Sequence, residues 1–274
     1  MIDTRPFFRP LAQEFVQLLR QLAPDDWLRP TVARPWVVRD VVAHLVDGTM
    51  RRLSFDRDAM IPPPPPAPIG GERDFVAFIN ELNRSGVETF RGYSARVLTD
   101  SYELHAAALV DFFEQASLEA PARFGVSWAG EEQSPAWMDI GREFTEHWHH
   151  QMQVRDAVGA GPPSDPAWLR ATLAMAVLAL PHAYRDVPAE RGASVAIDIH
   201  GVSGGSWKMT RGHDGWTIAA GDTRRASARV LMSDDTAWRL LFNALPPAYA
   251  RRAVQASGDA ALTEPLFQAR SVIV

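Results

Sequence analysis

Three of the chain's eight histidines fall within four positions, in the run Arg142-Glu143-Phe144-Thr145-Glu146-His147-Trp148-His149-His150-Gln151-Met152-Gln153. Carboxylates and imidazoles at this density bind divalent metals or move protons. No proline or glycine interrupts the run, so it reads as helix. At about 100° per residue, Glu146 and His150 stand one turn apart on one face, with Gln153 between them in angle and His149 to one side. Such a pair holds a divalent ion if a third side chain joins it. Glu143 and His147 have the same i, i+4 spacing, and on spacing alone the two pairs compete. A plainer pattern also fits, with Glu143, Glu146, His147 and His149 on a solvated face and His150 packed at its border.

A third ligand must come from another helix. Residues 8–23 carry Leu11, Phe15, Leu18, Leu19 and Leu22 at helical spacing. Pro24-Asp25-Asp26 ends that helix, and Pro30 and Pro35 keep the next segment irregular. A second helix begins at Val37, with Val38, Val41, Val42, Leu45 and Val46 as its apolar stripe. His44 flanks the stripe in a polar seam of Asp40, His44, Asp47 and Arg51. Taken alone, a histidine there reads as a hydrogen-bonded boundary residue. Third and fourth helices are expected over about 74–93 and 96–116, the latter with His105 lining the core. Before them, the five consecutive prolines Pro62 to Pro66 read as a stiff crossover rather than an SH3-type ligand. Pro135 starts the helix of the histidine run and Gly159 stops it. Bundle cores build metal sites from inward side chains on facing helices, which makes His44 the candidate partner of Glu146 and His150. Two histidines and one glutamate leave a position open on the ion, the pattern of catalytic zinc. Nickel and iron accept the same donors.

Gly159-Ala160-Gly161-Pro162-Pro163-Ser164-Asp165-Pro166 marks a boundary, dividing the chain into residues 1–160 and 167–274. A helix is expected over 168–183. After Gly192 the apolar period drops to two, in Val195/Ile197/Ile199, Trp207/Met209, Trp216/Ile218 and Val230/Met232, punctuated by glycines. That predicts a small antiparallel meander. Helices over 236–245 and 248–256 and a last short helix follow. The expected fold class is α plus α+β: a four-helix bundle, then a small antiparallel α/β domain.

The 274 residues are 46% hydrophobic and 22% charged, enough apolar surface for substantial cores. A net charge of −5 argues against a nucleic-acid or anionic-membrane partner, since both need a basic footprint. No apolar run reaches the roughly 18 residues of a membrane span. The start, Met1-Ile2-Asp3-Thr4-Arg5-Pro6, lacks a signal-peptide layout, and a cytoplasmic location is expected. Cysteine is absent, which excludes disulfides, thiolate ligands and a cysteine nucleophile. Any thiol chemistry must use an external thiol.

Trp36-Val37-Val38-Arg39-Asp40-Val41-Val42-Ala43-His44-Leu45 resembles the W-t-v-r-D-v-v-a-H-L signature of the DinB-like superfamily, and more narrowly the N-terminal domain of mycothiol-dependent maleylpyruvate isomerases. Thr145 to Gln151, with Arg155-Asp156-Ala157-Val158-Gly159, is similar to that family's E-x-x-x-H helix. The glycine-punctuated second half, ending Gly258-Asp259-Ala260-Ala261-Leu262, resembles the small α/β domain that follows the bundle there, related to sterol-carrier-like folds. Carried over by motif, the resemblance implies His44, Glu146 and His150 as metal ligands and sets aside Glu143/His147. His149, Gln153 and Asp40 become supporting candidates around the ligands, and His147 falls to the outer face. The sequence departs from the family pattern at Val37, where a capping Thr is usual, at Pro35 for Gly, and at Gln153, where many relatives have Asp.

The expected function is that of a metal-dependent enzyme using a low-molecular-weight thiol such as mycothiol, in isomerase or thiol-transferase chemistry on a small organic acid. The expected cofactors are a divalent metal, zinc first and then nickel or iron, and the thiol. Arg39, Arg51 and Arg142 are candidates for holding substrate carboxylates, with surface ion pairs as their plainer role. No catalytic residue is assigned, and a monomer or homodimer is expected. The rival reading is a non-catalytic metal-binding or small-ligand carrier protein, with Trp207, Trp216 and Trp238 against an apolar guest.

Overall fold

The computed structural model describes residues 1–273. Its first half contains α1 (Arg5–Gln21), α2 (Val38–Arg52), α3 (Glu72–Thr89), α4 (Ala95–Glu114) and α5 (Ala136–Val158). Helices α1, α2, α4 and α5 pack on one another as a four-helix bundle, while α3 lies along the outside of α2. Of the α1 stripe read from the sequence, Leu11, Phe15 and Leu19 are buried and Leu18 and Leu22 partly so, and Val38, Val41, Val42, Leu45 and Val46 are buried on α2. A buried valine or leucine contributes about 1.5–3 kcal/mol. The α2 stripe therefore outweighs the ~1 kcal/mol that a Thr cap at Val37 would add. Half of that cap is present in any case, because Val37 N–H donates to Asp40 Oδ2 at 3.1 Å. Ser94 caps α4, and Gly159, at φ 73°, ends α5 with the Ala160 N–H donating to the Arg155 carbonyl.

Helix α5 is the axis of the molecule. Most of its residues from Met138 to Arg155 are buried, so it has no solvated face of the kind the plainer reading required. Beyond Arg52, α2 runs into a π turn, Leu53–Arg57, a feature with no signal in the residue pattern. The proline connector that follows is exposed, and Arg123 ties its start down by donating to the carbonyls of Phe55 and Met60.

In the second half α6 (Pro166–Ala176), a 3-10 turn (Val177–Ala179) and α7 (Leu180–Ala183) replace the single helix expected over 168–183. Pro181 lacks the N–H that a continuous helix needs. The sheet comprises β1 (Ser194–His200), β2 (Gly205–Arg211), β3 (Trp216–Ala220), β4 (Ala228–Ser233) and β5 (Gln255–Gly258), in the order β3-β2-β1-β4-β5. Strands β1 to β3 form the expected meander. β4 instead returns beside β1 and parallel to it, with Ile197 opposite Val230. Period-2 alternation marks a strand but not its neighbour. Helices α8 (Asp234–Leu241), α9 (Pro247–Ala253) and α10 (Ala260–Thr263) complete the second half. The helix expected over 248–256 stops at Ala253, and residues 255–258 become β5, whose pairing satisfies the backbone groups of β4.

The alternating residues point into the core, and Trp207, Trp216 and Trp238 are built into it. A continuous apolar cluster joins Phe8, Leu11, Phe144 and Trp148 of the bundle to Trp168, Leu173, Val195 and Trp238 of the second half. Trp148 and Trp238 meet edge to face at 5.4 Å. The connector between the halves is fastened as well: Glu14 accepts from Arg155 and from Ser164 of the connector. Among the described residues no helix is long and apolar enough to cross a membrane.

Candidate metal centre

Helices α2 and α5 pack so that His44 faces Glu146 and His150. Each of the three offers one ligand atom, and these atoms lie within 4.8 Å of one another. Donors on a tetrahedral ion at about 2.1 Å are about 3.4 Å apart, so small rotamer adjustments would close the set. His150 Nδ1 donates to Gln153 Oε1 at 2.8 Å. The other ring nitrogen, Nε2, lies 3.3 Å from Glu146 Oε2. An imidazole nitrogen and a carboxylate oxygen facing each other at this distance are an arrangement that a cation can bridge. His44 Nδ1 is buried and has no hydrogen-bond partner among the described residues. By contrast, Nδ1 of His105, His147, His149 and His150 is partnered in each case. These observations fit a divalent ion held by two histidines and one glutamate.

Protonation agrees with that fit. Burial, reinforced by the neighbouring His150, holds the His44 pKa well below the ordinary 6.5, so the ring is neutral. Burial would raise Glu146, but the cationic groups around it, of which the Arg142 guanidinium is charged at every pH, outweigh it and keep the carboxylate ionised. Neutral imidazole and ionised carboxylate are the forms that bind metal. Glu146 keeps 24% of its side-chain surface exposed, which leaves an approach to the centre.

His149 lies beside the set. Its Nδ1 donates to the Thr145 carbonyl at 2.8 Å, so Nε2 carries the lone pair. Burial lowers its pKa to about 3. Asp40 is turned to the helix start as the cap of α2, away from the ligands.

The three arginines differ. Arg39 donates to the carbonyls of Phe90, Arg91 and Tyr93 and lines a cavity of about 310 Å³ with Leu22, Trp27 and Leu28. Arg51 pairs with Asp47 at 2.8 Å and donates to Asn83 at 3.0 Å. Arg51 and Arg142 both act on the centre: Arg51 adds to the burial that lowers the His44 pKa, while Arg142, paired with Asp139 and Glu143, contributes to the low pKa of Glu146.

One expectation fails. His147 does not fall on the outer face; it is 3% exposed and points into the bundle. Its Nδ1 shares a hydrogen bond with the Tyr102 hydroxyl at 2.9 Å, and its Nε2 lies 3.8 Å from Glu143 Oε1. With α5 central, the side that carries His147, about 60° around the helix from His150, meets α1 and α4 rather than water. There Arg52, Asp56, Asp139, Arg142 and Glu143 form a buried ion-pair group. Arg52 and Asp139 escaped the sequence reading. Their signal was an arginine two turns after His44 and an aspartate one turn before Glu143, which periodicity alone does not single out.

The model of the mycothiol maleylpyruvate isomerase N-terminal domain family matches residues 8–155, more than half of the chain. The chain belongs to that family. The resemblance carried by Trp36–Leu45 and by the E-x-x-x-H helix is thereby borne out. Among solved structures, the fold is similar to that of a mycothiol-dependent maleylpyruvate isomerase at 14% identity and TM-score 0.53, covering 93% of this chain and 92% of that one. A histidine-to-alanine mutant of that enzyme matches at 13% identity and TM-score 0.52, with the same coverage. Both likenesses extend beyond the family-matched segment into the second half, so the bundle-plus-sheet architecture is shared across the molecule. No curated protein matches the sequence.

Proposed function

We propose that this member of the family is a metal-dependent enzyme that uses a low-molecular-weight thiol, mycothiol or a relative, to isomerise or thiolate a small organic acid. The observation that carries the reading is the convergence of His44, Glu146 and His150 from two helices, beside an open approach. When bound, a divalent ion supplies Lewis-acid chemistry, lowering the pKa of a thiol or water at its open position. Zinc suits two imidazoles and a carboxylate best, and nickel and iron are compatible.

The chain's own residues supply orientation and charge. Gln153 holds His150 in the tautomer whose Nε2 is free. His149 presents a second neutral imidazole with an available Nε2, suited to accepting a hydrogen bond from an incoming thiol. Arg142 is the arginine placed to meet a substrate carboxylate, fixed at its far side by Asp139 and Glu143. The absence of cysteine means the thiol comes from outside. A cytoplasmic location, a monomer or homodimer, and a small-molecule rather than nucleic-acid or membrane partner complete the proposal; the net charge of −5 supports the last point. The carrier reading loses its proposed guest contacts, because Trp207, Trp216 and Trp238 fill the core.

The test has two stages. Elemental analysis of protein from metal-replete culture is expected to give about one equivalent of a transition metal per chain. Incubation with maleylpyruvate is then expected to show isomerisation or adduct formation only when mycothiol is supplied. Under about half an equivalent of every transition metal would sink the metal reading. A full metal complement with turnover that ignores the thiol would sink the thiol reading alone.

A further inference from the structure

Five aromatic rings stand in file through the candidate metal centre. Phe242, at the end of α8, lies nearly parallel to His149, at 4.9 Å and 23°. His149 lies 4.0 Å from His150. His150 meets His44 edge to face at 4.7 Å and 72°, and Trp36 backs His44 at 5.0 Å. The file begins in the second half of the chain, passes through both candidate histidine ligands, and ends in the segment before α2.

An imidazole ligand binds through a lone pair in the plane of its ring, so the tilt of the ring sets the bond direction. The hydrogen bond from His150 Nδ1 to Gln153 fixes one edge of the ring and leaves its plane free to rock. The neighbouring His149 restrains that motion. His149 is in turn tethered at one edge, by Thr145, and backed on its face by Phe242. Phe242 itself is well anchored: it is 3% exposed, and α8 is held to α5 by the Arg239–Asp156 ion pair and the Trp238–Trp148 contact.

We propose that Phe242 is a positioning residue for the metal centre: by backing His149 it sets the plane of His150, so the second half of the chain tunes an ion held by the first. This rests on the metal reading above. Two experiments on the full-length protein, stripped of metal and titrated with Co²⁺, separate the two claims. Phe242→Leu, which keeps apolar bulk but has no flat face, is expected to lower Co²⁺ affinity about tenfold and to shift the visible absorption bands of the bound ion. Phe242→Tyr, which keeps the ring, is expected to preserve both. If Phe242→Leu does not fold, Phe242→Met carries the same expectation. A leucine or methionine variant with wild-type affinity and spectrum overturns the proposal, even with a lowered thermal midpoint, since a purely structural role moves only the midpoint. A wild-type protein that takes up no Co²⁺ overturns the metal reading and this inference with it.

Discussion

Helix α5 carries two Glu–His pairs at the same spacing, three residues apart, and they meet opposite surroundings. Glu146 and His150 face His44 of α2, keep a partly open approach, and stand next to a buried imidazole nitrogen without a partner among the described residues. Glu143 and His147 face Arg52 of the same α2 and Tyr102 of α4, and both are almost fully buried. A carboxylate paired with guanidinium groups has its charge neutralised and its lone pairs engaged, so it is a poor metal ligand. One pair is left with coordination to offer; the other is bound into the frame. Identical local spacing therefore says little about ligation until the residues opposite are known.

The sharpest way to break this comparison is to delete one member from each pair. His150→Ala or Glu146→Gln is expected to bring bound metal from about one equivalent to under about a tenth, since two ligands rarely retain a divalent ion. His147→Ala is expected to leave the stoichiometry intact in whatever protein folds. Equal metal loss in both would erase the distinction between the pairs. On the framework side, Arg52→Ala uncovers Asp139, Glu143 and Asp56 together and is expected to cost about 3–5 kcal/mol of stability in denaturant titrations. A cost below about 1 kcal/mol would mean that the buried ion pairs are not what holds that side of α5.

Acid tests both pairs at once. His44, His147 and His149 have pKa values lowered by burial, His149 to about 3, while the unfolded chain titrates near 6.5. Below 6.5 the unfolded state binds protons that the folded state refuses, so stability falls as pH drops from about 6.5 toward 3. The thermal midpoint is expected to decline steadily over that window, by roughly 2–4 °C for each kcal/mol lost. A flat midpoint between pH 7 and 5 would contradict the neutral buried imidazoles.

Smaller effects sharpen the picture. Gln153→Ala is expected to weaken metal binding about tenfold by releasing the His150 tautomer, and Gln153→Glu to retain or strengthen it. Competition with a chromogenic chelator reads both; unchanged affinity in Gln153→Ala would remove Gln153 from the centre. Tyr102→Phe, which removes the hydroxyl hydrogen-bonded to His147, is expected to cost about 1 kcal/mol with no change in metal content.

Much of this was legible beforehand. The apolar stripes of α1 and α2 and the alternating residues of β1 to β4 are buried as their periods predicted, because burial selects residue types at fixed intervals. Asp40 was legible as a polar neighbour of His44, but not as the acceptor of the Val37 N–H at the start of α2. The return of β4 parallel to β1, the conversion of residues 255–258 into β5, and the burial of His147 were not legible. Each depends on what lies alongside a segment rather than on the segment itself.

The sequence by itself determined which residues are candidates for holding a metal, that they lie on helices, that any thiol must come from outside, and through its motifs the family. Local spacing and composition suffice for that, since helix geometry places i and i+4 on one face whatever surrounds them. Only the tertiary structure decided which face of α5 is open to a ligand and which is sealed. It alone brought His44 and Arg52 to opposite pairs on α5 and set Phe242 behind His149. Those outcomes follow from helix–helix and helix–sheet packing, where side chains far apart in sequence compete for the same space and charge.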